Sequence, residues 1–152
     1  LRQVKSRIAI EDWLTRDELY RVRDAVRAAE KRTSGEIRVH LDVAIMDDVL
    51  DHAAFVFDEL EMGKTKDRNG VLVYVSVPGR KVAVLGDTAI HAHLGHDYWQ
   101  TVLDLILGHF KQDQFCEGLC AGVEAIGEQL RTHFPYQRND VNELSDDVSF
   151  GK

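Results

Sequence analysis

The stretch Gly70-Val71-Leu72-Val73-Tyr74-Val75-Ser76-Val77-Pro78-Gly79-Arg80-Lys81-Val82-Ala83-Val84-Leu85 decides the fold. Its first half is nearly continuous apolar sequence, the pattern of a central strand covered on both faces. Pro78-Gly79 turns the chain, and Lys81–Leu85 returns as a second strand, so the two predict an antiparallel hairpin. Upstream, Glu36-Ile37-Arg38-Val39-His40-Leu41-Asp42-Val43 alternates polar and apolar residues. That alternation predicts a strand with one buried face.

Helical patterns surround these strands. Thr15-Arg16-Asp17-Glu18 has the form of a capping box, and Leu19, Val22, Val26 and Ala29 follow at helical spacing, which predicts a helix over 16–32. Asp47 or Asp48 is placed to cap a second helix with Leu50, Ala53, Ala54, Phe57 and Leu60 as its apolar stripe. A helix between two strands makes a crossover, so the strands at 36 and 70 are predicted to be parallel. A short helix near 88–94 and a longer one over 98–110 follow. The last is capped by Asp113 and runs to about Phe134, with Phe115, Leu119, Val123, Ile126 and Leu130 facing the core. Gly118, Gly122 and Gly127 would let a neighbouring helix approach closely. The sum is an α/β sandwich around a small mixed sheet, with 1–135 as one domain. Residues 136–152 read as a polar tail whose apolar content is little beyond Val141, Leu144, Val148 and Phe150.

Composition narrows the function classes. The 152 residues carry a net charge of −7, which disfavours nucleic acid as a partner. The surplus is uneven: residues 1–32 hold nine Lys/Arg against six Asp/Glu, so the acids concentrate in the rest. No window has the length and apolarity of a membrane span. Leu1–Arg7 shows basic residues without an apolar stretch behind them, so a cytoplasmic setting is expected. Cys116 and Cys120 lie one helical turn apart, where two buried thiols are expected rather than a strained disulfide. His91, His93 and His96 do not share a helix face and are expected to be solvent-facing or capping. Tyr98 and Trp99 are expected to pack. No P-loop, GxGxxG, GxSxG or CxxC motif occurs, and no catalytic residue can be named.

The topology brings distant polar residues together. The first strand opens after Ser34-Gly35 with Glu36, the second after Asp67-Arg68-Asn69, and the third ends at Gly86-Asp87. Parallel and antiparallel pairing in that order puts all three segments at one edge of the sheet. Glu36, Asp67, Asn69 and Asp87 would then form an oxygen-rich cluster of the kind that Ca²⁺ or Mg²⁺ requires. The same residue types also serve ordinary turns. Three functional readings follow. The first is a divalent-cation-binding module. The second is a metal-assisted hydrolase of phosphate esters, with Arg68 and Lys66 in the right loop to hold phosphate. The third is an adaptor that binds a protein partner through the basic face of the first helix or the tail.

Several stretches together resemble the TPM domain family, the phosphatase-like module of thylakoid-lumen repair proteins and many bacterial proteins. They are Thr33-Ser34-Gly35-Glu36-Ile37, Asp67-Arg68-Asn69-Gly70-Val71-Leu72, Leu85-Gly86-Asp87 with Ile90-His91, Tyr98-Trp99, Phe115-Cys116-Glu117-Gly118-Leu119 and Phe134-Pro135. The end, Asn142-Glu143-Leu144-Ser145-Asp146-Asp147-Val148-Ser149-Phe150-Gly151, resembles the tail of the short soluble bacterial branch. The resemblance implies a three-layer α/β/α Rossmann-like sandwich and an acidic site for divalent cations. It also implies acid phosphatase activity, attributed to the plant members. Carried over position by position, Glu36, Asp67, Asn69 and Asp87 match the family's motifs. Many members have an N-terminal signal and a C-terminal membrane segment, and neither pattern is seen in this chain.

Overall fold

A computed structural model of the chain describes residues 3–5, 10–137 and 144–151. The candidate tail residues Val141, Asn142 and Glu143 lie outside the described residues, as do most of the basic start. The elements run β1 (Gln3–Lys5), α1 (Arg16–Glu30), β2 (Glu36–Asp42), β3 (Ala44–Met46), α2 (Val49–Glu59), β4 (Gly70–Ser76), β5 (Lys81–Gly86), α3 (Thr88–Leu94), α4 (His96–Phe110), α5 (Phe115–His133) and β6 (Ser149–Phe150).

The main sheet has the order β5-β4-β2-β6, and β1 pairs with β3 in a separate two-stranded ribbon. β2 and β4 are parallel in the register Glu36↔Gly70 to Asp42↔Ser76, and β4 and β5 are antiparallel. The crossover and the hairpin thus stand as the sequence pattern predicts. On one face, Ile37, Val39, Leu41, Val71, Val73 and Val75 pack under α1, α4 and α5. On the other, Leu72, Tyr74 and Ala83 pack under Ala53, Val56 and Phe57 of α2. The fold is a three-layer α/β/α sandwich. Among the described residues no helix is long and apolar enough to cross a membrane.

Local chemistry sets most of the boundaries. The capping box forms in full: Glu18 N–H donates to Thr15 Oγ1 at 3.1 Å, and Thr15 N–H donates to Glu18 Oε1 at 3.0 Å. Asp48, rather than Asp47, caps α2 by accepting from Asp51 N–H at 3.0 Å. α5 begins after Gln114 with no side-chain cap, and Asp113 takes a left-handed φ of 57° instead of capping. Asn and Asp tolerate that conformation better than most residues, so Asp113 closes the turn between α4 and α5.

Three further expectations change on contact with the structure. β2 is covered on both faces, because α2 lies over the face that carries His40 and Asp42, which are 4% and 3% exposed. Alternation in that strand therefore marks two chemically different interiors, not a wet side and a dry side. Within α2 the inward stripe runs through Ala53, Val56 and Phe57, whereas Leu50 is 56% exposed. The segment read as a polar tail returns to the sheet, and β6 pairs parallel with β2 through His40↔Ser149 and Leu41↔Phe150.

Glycines set the helix spacing on the α1/α4/α5 side. A Cβ at Gly122 would lie 2.6 Å from Ile106 Cδ1, and one at Gly127 would lie 2.8 Å from Ala29 Cβ. Both distances are too short for carbon–carbon contact, so α5 reaches α4 and α1 only because these side chains are missing. Gly127→Ala is expected to destabilise the fold by about 1–3 kcal/mol through overpacking. Combining it with Ala29→Gly should recover about 1 kcal/mol or more of coupling in a double-mutant cycle read by thermal unfolding. Strict additivity would mean that the helices simply move apart.

Candidate functional site

The loops before β2 and β4 and the end of β5 meet at one edge of the sheet. Asp87 N–H donates to Gly70 O at 2.9 Å, and Glu36 N–H reaches Asn69 O at 3.4 Å, which ties the three backbones together. Ser34 Oγ donates to Asp67 Oδ2 at 3.1 Å, and Asn69 Nδ2 donates to Ser34 Oγ at 3.1 Å. Asn69 is fully buried and Asp67 is exposed, so this relay leads from the interior to solvent. Asn69 Oδ1 is buried and has no hydrogen-bond partner among the described residues. Burying an amide oxygen without a donor costs about 1–3 kcal/mol.

Asp87 sits on the neighbouring strand with its carboxylate already engaged. It caps α3 by accepting from Thr88 N–H at 2.7 Å. It also accepts from Arg68 Nε at 2.8 Å and Nη2 at 3.0 Å, a two-pronged ion pair. The carboxylate is buried while the Arg68 side chain is 53% exposed. Its hydrogen bonds and charge interaction with Asp87 hold the Arg68 guanidinium above its ordinary pKa. Arg68 adopts a left-handed φ of 51°, so a strained backbone delivers this side chain.

Glu36 opens β2 at the same edge, but its carboxyl lies within hydrogen-bonding reach of Glu30. Glu30 ends α1 and accepts from Ile37 N–H at 2.8 Å. Its pKa is pushed up to about 11 by burial first, then by hydrogen bonding to Asp146 and by the nearby Glu36. Two carboxyl groups bond to each other only when one is protonated, and the raised pKa of Glu30 leaves the proton there. Arg27 Nε lies 3.5 Å from Asp146, so the returning segment is held by charge.

The structure therefore joins Asp67 to Asn69 through Ser34, sets Asp87 beside them on Arg68, and turns the Glu36 carboxyl towards Glu30. Among the described residues no three His, Cys, Asp or Glu side chains are gathered as a ready metal-ligand set. Two features here lacked a readable signal in the sequence. The Arg68–Asp87 pair spans 19 positions with no local pattern, and Glu30 sits on what reads as the exposed end of an amphipathic helix.

His91, His93 and His96 are exposed, as expected, and the thiols are packed. His91 Nδ1 accepts from Trp99 Nε1 at 3.0 Å, and His93 stacks on His133 with centroids 4.6 Å apart. Trp99 is buried, and Tyr98 Oη donates to Ala125 O at 2.8 Å. Cys116 and Cys120 are free thiols, and burial pushes Cys116 up to about 12, so it stays protonated and unreactive.

Comparison with known proteins places this architecture. The BA42 protein of the psychrophilic bacterium Bizionia argentinensis, solved by NMR, superposes with a TM-score of 0.86 at 43% identity. That match covers 94% of this chain and 99% of the other. The N-terminal domain of a P. gingivalis protein, also solved by NMR, shares the fold at a TM-score of 0.65 and 19% identity over 83% of each chain. A search of curated proteins gives no match. The family model of the TPM domain matches residues 10–129. With its motifs, its sandwich and this match in agreement, the chain belongs to the TPM domain family.

Proposed function

We propose that the sheet edge formed by Ser34, Asp67, Asn69 and Asp87 binds a divalent cation, Ca²⁺ or Mg²⁺. The observation that carries this reading is the buried Asn69 Oδ1, an acceptor with no donor, next to a serine hydroxyl and a carboxylate. Hard cations take oxygen ligands of these kinds, with water completing the shell. Glu36 opens β2 at the same edge, with its carboxyl turned towards Glu30. Asp87 joins the ligands only when Arg68 leaves it, so the guanidinium competes with the metal for one carboxylate.

Competition gives the reading a direct test. Calorimetric titration of the intact chain with CaCl₂ or MgCl₂ should show binding that Asp67→Ala abolishes. Arg68→Ala should tighten binding by roughly tenfold, because it frees a carboxylate that otherwise holds a two-pronged ion pair. An absence of heat at millimolar metal in both the parent chain and Arg68→Ala would overturn the reading. Released from Asp87, Arg68 is also the group at hand to hold a phosphate ester beside the metal. Metal-dependent turnover of a generic phosphate monoester that Arg68→Ala removes would add catalysis to binding.

A further inference from the structure

We propose that the carboxyl end of β2 carries a second binding site, a pocket for a primary ammonium group. It lies about 20 Å along the strand from the cation edge, given the rise per residue of a strand. The cavity has a volume of about 380 Å³, and its lining includes His40, Asp42, His52, Phe55, Glu59 and Phe150.

The polar side chains of this lining are the carboxylates of Asp42 and Glu59 and the imidazoles of His40 and His52, and among the described residues it contains no Lys or Arg. Asp42 is spent on the protein: Oδ1 accepts from Ala44 N–H at 3.0 Å and Oδ2 from Tyr74 Oη at 3.0 Å, with His52 Nε2 3.6 Å away. His40 is different. Its Nδ1 lies 2.7 Å from Ser149 Oγ, which in turn lies 3.4 Å from Val39 O. A carbonyl can only accept, so the serine proton goes to Val39 O and the serine lone pair accepts from Nδ1–H. That fixes the tautomer and leaves Nε2 as a bare acceptor with no hydrogen bond among the described residues. Burial, the largest influence, lowers the His40 pKa and favours the neutral ring; Asp42 opposes that shift, Arg38 and His52 add to it, and Glu59 opposes it least.

The rim supplies the remaining half of the recognition. Phe55 and Phe150 are large apolar side chains at 56% and 48% exposure, both lining the cavity. Aromatic faces attract cations, and Glu59 is an exposed carboxylate at the same opening. An ammonium group can donate to His40 Nε2 and Glu59 while its alkyl chain and charge lie against the rings. An anion would meet the carboxylates of Asp42 and Glu59. β6 supplies both Phe150 and the serine that sets the histidine tautomer, so the site exists only when the returning strand is docked.

The test uses the intact chain and two probes that share the ammonium group, n-butylammonium and Nα-acetyl-lysine amide. Amide chemical shifts followed by NMR should move saturably for residues 40–42, 52–59 and 149–151, with millimolar affinity. Glu59→Gln, at an exposed position that leaves the fold intact, should weaken binding by about tenfold. Phe55→Ala should weaken it as well. Binding of either probe supports the site, and the tighter one says whether it takes a free amine or a side chain presented by a polypeptide. The proposal fails if neither probe gives saturable shifts up to roughly 50 mM, well above the millimolar range expected of a single ion pair. It also fails if n-butanol binds equally well, or if both variants bind as the parent does.

Discussion

Asp42→Ala is expected to destabilise the protein by about 2–4 kcal/mol, among the largest losses for a single polar side chain in this fold. The carboxylate satisfies the Ala44 N–H and the Tyr74 hydroxyl at once, both inside the layer between the sheet and α2. Removing it leaves two buried donors without acceptors, each worth about 1–3 kcal/mol. It also empties the space against Gly151, where even a methyl group would lie 2.5 Å from Asp42 Oδ1. Tyr74→Phe isolates one of the two bonds. It leaves Asp42 with Ala44 N–H and His52, and should cost only about 1–2 kcal/mol. Burial and the neighbouring Asp42 carboxylate push the Tyr74 hydroxyl pKa upward, so it stays a donor throughout the usable pH range. Urea unfolding at constant m-value measures both. If Asp42→Ala costs less than Tyr74→Phe, relief from burying the carboxylate outweighs the orphaned donors.

Glu30→Gln is expected to do the opposite at neutral pH and to stabilise the protein by about 1–3 kcal/mol. The folded-state pKa of Glu30 is raised from 4.5 to about 11. Below about 4.5 both folded and unfolded chains hold this proton, and the residue contributes no pH dependence. Above it the unfolded chain ionises while the folded chain keeps the proton, so stability falls as pH rises through the window up to about 11. Glutamine cannot ionise, yet its amide still accepts from Ile37 N–H and donates to a carboxylate. Parent and variant should therefore unfold at similar urea concentrations near pH 4 and separate progressively up to pH 9. Parallel pH profiles for the two chains would show that Glu30 ionises in place.

The strands and helices were legible because their signals are local. Thr15 and Glu18 specify a cap within one turn, and the apolar run from Gly70 has no alternative to a covered strand. That the segments carrying Glu36, Asp67, Asn69 and Asp87 meet at one sheet edge follows from strand direction, but the sequence pattern points to Glu36 where the structure puts Ser34 between Asp67 and Asn69. The partner of each side chain was not legible. Arg68 and Asp87 meet through a left-handed backbone, and Glu36 meets Glu30 through the fold of α1 onto β2. Periodicity carries no information about either. His40 and Asp42 show the same limit in another form. Their alternation with Val39 and Leu41 looks like a wet face, and only the position of α2 turns it into an interior.

β6 bears on how the chain is made. Ser149 and His40 are 109 positions apart, yet they pair in one sheet. Closing so long a loop precedes any reward from the contact, which makes such pairings late events in folding. During synthesis, β2 and β4 can pair long before β6 leaves the ribosome. For that interval β2 offers unpaired backbone at His40 and Leu41, the kind of strand edge on which chains associate wrongly. The β6 segment thus acts as a seal, and a nascent chain halted before it would be the aggregation-prone form.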